Sequence, residues 1–113
     1  MIQITLPWPP TVNTYWRVFN GRSILSEAGR RYRVAVAEQV LIQRAAKHIT
    51  QPVRVEIEAF RPDKRRRDLD NLLKALLDSL TAAGVWIDDS QIADLRIRKS
   101  DKVGGCVEVT IWR

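Results

Sequence analysis

The chain predicts an α/β fold of the α+β type: a small mixed β-sheet with two main helices, in the order β-α-β-α-β-β. Three observations predict it. Short runs of alternating apolar and polar residues open the chain, cross its middle and close it. Between them, two longer stretches repeat their apolar residues at helical spacing. No internal repeat, low-complexity segment or linker divides the 113 residues, so residues 1–113 read as a single domain.

Ile2-Gln3-Ile4-Thr5-Leu6 alternates and predicts the first strand. Pro7, Pro9 and Pro10 end it, because proline has no N–H to give to a ladder and biases its predecessor toward extended geometry. The polar and aromatic stretch Thr11 to Leu25 predicts a long loop, with Asn13, Asn20 and Gly21 marking turns. Ser26 suits the cap of a helix starting near Glu27. Tyr32, Val36 and Val40, with Ala35, Leu41 and Ala45, then recur at helical spacing up to Lys47 or His48. Val53, Val55, Ile57 and Ala59 alternate with Arg54, Glu56, Glu58 and Phe60 in a half-buried strand. Leu69, Leu72, Leu73, Leu76, Leu77 and Leu80 fall at i, i+3, i+4, i+7, i+8 and i+11, the clearest helix in the chain. Asp68 stands at its start as the expected N-cap, and Gly84 follows its end as the expected stop. Leu95 and Ile97 alternate with Asp94, Arg96 and Arg98. Past Gly104-Gly105, Val107, Val109 and Ile111 alternate with Glu108, Thr110 and Trp112, so the two runs read as a closing β-hairpin.

Lysine and arginine number 19 against 13 aspartates and glutamates, a formal net charge of +6. With a pI of about 10.1, the chain has the electrostatic footprint of a nucleic-acid binder. A basic surface that only maintains solubility needs no clustering, yet Lys64, Arg65, Arg66 and Arg67 are consecutive. The single cysteine, Cys106, permits neither an intrachain disulfide nor cysteine-ligated zinc. It lies in a strand-like run, and nothing brings it to His48, the only histidine, so it reads as a packing residue. No signal peptide is visible and no apolar stretch is long enough to span a bilayer, so no membrane partner is expected and the cytoplasm is the expected location. A chain this short buries a smaller share of its surface than a large one, which makes a homodimer an early expectation.

The basic block touches acids. Arg61-Pro62-Asp63-Lys64-Arg65-Arg66-Arg67-Asp68-Leu69-Asp70-Asn71 leads into the leucine-rich helix carrying Lys74, and Asp88-Asp89 follows one helix later. Each residue alone has a structural reading. Asp68 would cap the helix, Asp70 would favour the positive end of its dipole, Asp70 and Lys74 at i, i+4 would pair, and Asp88-Asp89 would form a turn or cap. The combination is harder to explain that way. Four cations just before a helix N-terminus oppose its dipole, a conflict that a docked phosphate would resolve. Carboxylates beside such a run repel a polyanion unless a divalent cation lies between. Hard oxygen donors select Mg²⁺, with Mn²⁺ able to substitute, and such an ion would activate water for phosphodiester hydrolysis while Lys74 neutralises developing charge. A helix of about 20 Å separates Asp68 from Asp89. The acids meet only if the connection folds back along that helix or if a second protomer brings one of them, and the sequence leaves both open.

These residues resemble the RusA-type crossover junction endodeoxyribonucleases, Holliday junction resolvases often carried by bacterial prophages. The likeness runs from Ile4-Thr5-Leu6-Pro7-Trp8-Pro9-Pro10 and Asn13 through Tyr15-Trp16-Arg17 and Ser26-Glu27-Ala28-Gly29 to the central block from Pro62 to Lys74. It closes with Asp78, Leu80, Gly84, Trp86, Asp88-Asp89 and Gln91. Lys64, where an arginine would also fit, is a mild departure. The resemblance implies a RusA-like homodimer that nicks two opposed strands of four-way junction DNA in recombination and repair, with magnesium as its cofactor. It matches the acidic cluster to Asp68, Asp70 and Asp89, ranks Asp88 lower, and matches an essential lysine to Lys74. No small-molecule organic cofactor is expected. A two-fold dimer would present two equivalent sites to a two-fold junction.

Around that cluster, Lys64, Arg65, Arg66 and Arg67 are the expected phosphate contacts, and Arg17 would extend the basic surface. Trp16, in a polar stretch, is the candidate for stacking on an unpaired base, although packing is the commoner role of a tryptophan. Two readings compete: a non-catalytic basic nucleic-acid-binding protein whose acids are caps and ion pairs, and a metal-dependent nuclease of other DNA structure specificity. Asp70 weighs against the first, because an acid beside the basic run weakens phosphate contact unless a cation intervenes.

Overall fold

Period-two alternation decides which face of the sheet is covered. A computed structural model describes residues 1–113. Its elements are β1 (Ile2–Pro7), a one-turn helix α1 (Val12–Tyr15), β2 (Trp16–Phe19), β3 (Arg22–Leu25), α2 (Glu27–Ile42), β4 (Val53–Phe60), α3 (Asp70–Ala82), a 3-10 turn at Asp89–Gln91, β5 (Ile92–Lys99) and β6 (Cys106–Trp112). In β4 the odd-numbered residues Val53, Val55, Ile57 and Ala59 are buried and the even-numbered ones are not. α2 and α3 lie against the buried face. Tyr32, Val36 and Val40 from α2 and Ala75, Leu76 and Leu80 from α3 join Ile4, Leu6, Val107, Val109 and Ile111 of the sheet in one apolar core.

The main sheet has the order β1-β6-β4-β5, and β2 with β3 forms a separate two-stranded sheet. β6 is antiparallel to both β1 and β4, and β5 is parallel to β4. The mixed α+β class is as expected, but the expected closing hairpin does not form. Alternation identifies a strand without naming its partner, and here β6 inserts between the first and middle strands while β5 takes the edge. The parallel pair β4–β5 then needs a long crossover, and α3 supplies it.

Three further expectations are corrected. The predicted loop from Thr11 to Leu25 contains α1 and an antiparallel hairpin, β2–β3. Asn20 (φ 49) and Gly21 (φ 72) both adopt left-handed backbone at its tip, the pattern of a two-residue type I′ turn. α2 does start after Ser26, whose hydroxyl oxygen accepts from the Gly29 N–H at 2.9 Å. It stops at Ile42, short of Lys47: Arg44 turns left-handed (φ 57) and the Ala45 N–H closes on the Val40 carbonyl at 2.9 Å. Asp68 is not the N-cap of α3. That position falls to Leu69, whose backbone is already helical and whose side chain offers no acceptor. Gly84 (φ 85) does end the helix region as expected. No helix is long and apolar enough to cross a membrane.

Candidate active site

β4 delivers the chain at Phe60 into the basic loop, and that loop feeds α3. Inside the loop the cations are not equivalent. Arg67 turns back onto Asp63 at 2.5 Å, and Arg65 approaches the same carboxylate at 3.8 Å. The Arg67 hydrogen bond, helped by the Arg65 backbone N–H, pulls the Asp63 carboxyl down to about 2. Lys64 and Arg66 are exposed and stand outside these pairs. The loop therefore presents two uncommitted cations to solvent, with Arg67 held in place by its own neighbour.

Asp68 and Asp70 flank the first turn of α3, both exposed. The basic run engages Asp63 and leaves these two carboxylates alone. No side chain caps α3; the Leu72 N–H closes on the Leu69 carbonyl at 3.1 Å, and the positive end of the helix dipole favours Asp70 as an anion. Lys74 lies one turn further along and is exposed. It does not take the i, i+4 pairing open to it; its ammonium stands 6.0 Å from the centre of the Trp16 ring. Trp16, the first residue of β2, is half-buried and stacks edge-on against Tyr15 at 5.2 Å. Arg17 is exposed beside it. The structure thus brings together Trp16 and Lys74, which sequence spacing leaves unrelated.

Behind this surface lies a polar network that sequence reasoning missed. The Tyr15 hydroxyl donates to Asp78, and the Arg33 guanidinium donates both to Asp78 and, at 2.8 Å, to the Tyr15 oxygen. Burial opposes ionisation of Asp78, but the hydrogen bonds from Tyr15 and Arg33 and the charges of Arg33 and Lys74 outweigh it, holding the carboxyl below the usual range. The network joins α1, α2 and α3. No local signal marks it, since Tyr15 and Asp78 are 63 residues apart.

The remaining acids sit elsewhere. Asp88 is structural: its carboxylate accepts from the Ser90 N–H at 3.1 Å, and Gln91 completes a capping box by accepting from the Asp88 N–H at 2.9 Å. Gln91 also donates to the carbonyls of Ile49 (2.8 Å) and Gln51 (3.0 Å). Those contacts anchor Asp89, which is half-buried, beside the start of β4. The connection after α3 does not return along the helix. Gly84 and Val85 accept from His48 and Ile49, and buried Trp86 bridges to Ile49 while its indole N–H donates to Thr81 at 2.6 Å. Asp70 and Asp89 therefore lie at opposite ends of a helix about 20 Å long.

Asp68, Asp70 and Asp89 offer hard oxygen donors, so in kind they fit a divalent cation. In number they do not within one chain, where no three histidine, cysteine or acidic side chains are gathered to hold a metal. Cys106 is half-buried in β6, and burial together with Glu108 pushes its thiol up, the opposite of an activated nucleophile.

Comparison with known proteins adds relatives to this geometry. Residues 7–112 match the family described as endodeoxyribonuclease RusA. The chain is 47% identical over 109 residues to the crossover junction endodeoxyribonuclease RusA of Escherichia coli K12, and to that of Enterobacteria phage 82. The matched region covers 96% of this chain and 91% of each relative. The Shigella sonnei protein of the same name is 46% identical over the same span.

Proposed function

The chain belongs to the RusA family of endodeoxyribonucleases, and from that premise we propose that it resolves four-way (Holliday) junctions by paired nicking of opposed strands. The observation that carries this reading is the start of α3. Two exposed carboxylates, Asp68 and Asp70, stand beside a four-cation run with no cation of the chain committed to them, and Lys74 follows one turn later. Lys64, Arg65, Arg66 and Arg67 attract and track the phosphates. Lys74 donates toward the phosphate as charge builds on it. Trp16 and Arg17 extend the DNA surface beyond Lys74.

Asp68, Asp70 and Asp89 are the residues that would hold Mg²⁺ or, in its place, Mn²⁺; bound, the ion supplies Lewis acidity and lowers the pKa of water. The placement of Asp89 at the far end of α3 supports a homodimer in which one protomer contributes Asp68, Asp70 and Lys74 and its partner contributes the equivalent of Asp89. A two-fold dimer then carries two such sites, one for each strand to be cut.

The test is nicking of a labelled four-way junction beside a linear duplex, with Mg²⁺ and with EDTA. Paired symmetric cuts on the junction, abolished by EDTA, are expected. Equal cutting of the duplex would give a nuclease of other specificity. Junction binding without cuts in either Mg²⁺ or Mn²⁺ would return the acids to structural roles.

A further inference from the structure

The β2–β3 hairpin stands apart from the main sheet, and it exposes two apolar side chains just before its turn. Val18 and Phe19 are 75% and 55% exposed, and neither joins the apolar core or the side chains packed against it. On one hairpin face Trp16 and Leu25 sit half-buried at the foot, with Val18 and Ser23 beyond them. On the other, Phe19 lies directly across from Arg22, and the Arg17 guanidinium sits 5.5 Å from the Phe19 ring centre. No acid occurs between Trp16 and Leu25. The result is an exposed aromatic ring with an arginine on each side, carried on a turn whose left-handed residues are fixed by Asn20 and Gly21.

The foot of this hairpin is held rigidly. The Ser26 N–H donates to the Tyr15 carbonyl at 2.9 Å, and the Ser26 hydroxyl donates to Thr14. A Cβ at Gly29 would stand 2.5 Å from that same Tyr15 carbonyl, so only glycine lets α2 seat against the foot. Through Tyr15 the foot reaches Asp78 on α3, and through Trp16 it reaches Lys74. Four residues of strand carry the tip roughly 13 Å beyond Trp16. An open groove of about 620 Å³, lined by Val12, Asn13, Trp16, Arg17, Val18 and Ser23, runs along its side.

We infer that this hairpin is a wedge, with Val18 and Phe19 inserting at an unstacked base step of the junction while Arg17 and Arg22 hold the flanking phosphates. The inference rests on the junction reading above. Apolar side chains are inserted between base steps by proteins that open or bend DNA, and aromatic rings stack on bases irrespective of sequence. The crossover of a four-way junction is where stacking is already interrupted, so unstacking costs least there. A linear duplex offers no such step, and the wedge therefore separates junction from duplex as well as adding affinity.

The experiment uses the full-length chain in EDTA, where strands stay intact, and a junction with 2-aminopurine at the crossover. The wild type should raise the fluorescence of that base. The double variant Val18→Ser, Phe19→Ser should not, and should bind the junction roughly tenfold more weakly, the loss of about one aromatic–base stack. Its affinity for linear duplex should hold within twofold, and its thermal melt and hydrodynamic size should match the wild type. Phe19→Trp should keep the fluorescence rise. A double variant that keeps the signal overturns the wedge. So does duplex affinity that falls in step with junction affinity, or a smaller particle, which would make the tip a contact between copies. Failure of the junction reading is seen separately, in a wild type that neither prefers nor cuts the junction, and takes the wedge with it.

Discussion

The Tyr15 hydroxyl donates to the Asp78 carboxylate, and this bond ties the foot of the β2–β3 hairpin to the helix that carries Asp70 and Lys74. Arg33 completes the tie from α2. Replacing Asp78 by alanine removes the carboxylate shared by the half-buried Arg33 guanidinium and the buried Tyr15 hydroxyl, at a cost of about 1–3 kcal/mol. Tyr15→Phe removes one donor and leaves the Arg33–Asp78 pair intact, so its loss should be smaller, about 1 kcal/mol. Thermal unfolding should rank the two in that order, and equal melts would remove the network from the account of the site.

The same carboxyl predicts an acid limb. Asp78 has a folded pKa below its unfolded one, so its stabilisation is present above the unfolded value, near 4, and is lost as pH falls through the lower folded value. Asp63, at about 2 because of the Arg67 hydrogen bond, adds the same sign below pH ~4. Urea unfolding followed from pH 6 downward should therefore lose stability below about pH 4. Asp78→Asn should flatten that slope, and a slope unchanged in the variant would place the acid sensitivity elsewhere.

Asp68 does not cap α3, so Asp68→Ser should leave the melt within about 0.5 kcal/mol of wild type while junction nicking collapses. Asp70→Asn should abolish nicking and keep or tighten junction binding, because a negative charge beside the phosphates is removed. Lys74→Met should cost on the order of 10²-fold in nicking, the scale of losing one donor to a developing charge, with little change in binding. Intact nicking in Asp68→Ser would withdraw that residue from the site.

Mixing inactive variants addresses the dimer. If each site combines Asp68 and Asp70 of one chain with the Asp89 equivalent of its partner, an Asp70→Asn chain paired with an Asp89→Asn chain contains one doubly altered site and one intact site. Exchange of subunits should then restore nicking of a single strand. If all three acids acted within one chain, both sites of the mixed dimer would stay altered and no cutting would return.

Salt dependence separates the four consecutive cations. Replacing Lys64 and Arg66 by alanine should reduce the slope of log affinity against log salt by about 2, near 0.9 for each phosphate no longer neutralised. Arg67→Ala should change the slope less and the melt more, since Arg67 is already engaged with Asp63. A slope change of about 0.9 for Arg67→Ala alone, as large as each of the other two contributes, would mean that Asp63 releases Arg67 to the DNA.

Much of this molecule was legible in the sequence. The leucine spacing from Leu69 to Leu80 placed α3, the alternation from Val53 to Phe60 placed β4, and Ser26 marked the start of α2. The hairpin at Asn20-Gly21 was also written there, as a turn signal between two four-residue strands, and was hidden by the polar residues around it. The pairing of β5 and β6 was not legible, because alternation sets which side chains face the core and leaves the neighbouring strand undetermined. Asp68 as a cap failed for a similar reason: local propensity favours it, but the chain enters α3 already helical at Leu69. The tie between Tyr15, Arg33 and Asp78 is a product of packing three helices on one sheet, and no window of sequence contains it.

The position of β6 has a consequence for biosynthesis. A nascent chain emerges from its amino end, and β6 follows every other element, yet it sits between β1 and β4. Until Cys106 to Trp112 leave the ribosome, β1 and the β4–β5 pair cannot join, and each exposes an unpaired edge that invites association with another chain. Folding of the sheet must therefore wait for β6, and loss of its seven residues would leave two halves of a sheet with no strand to close them.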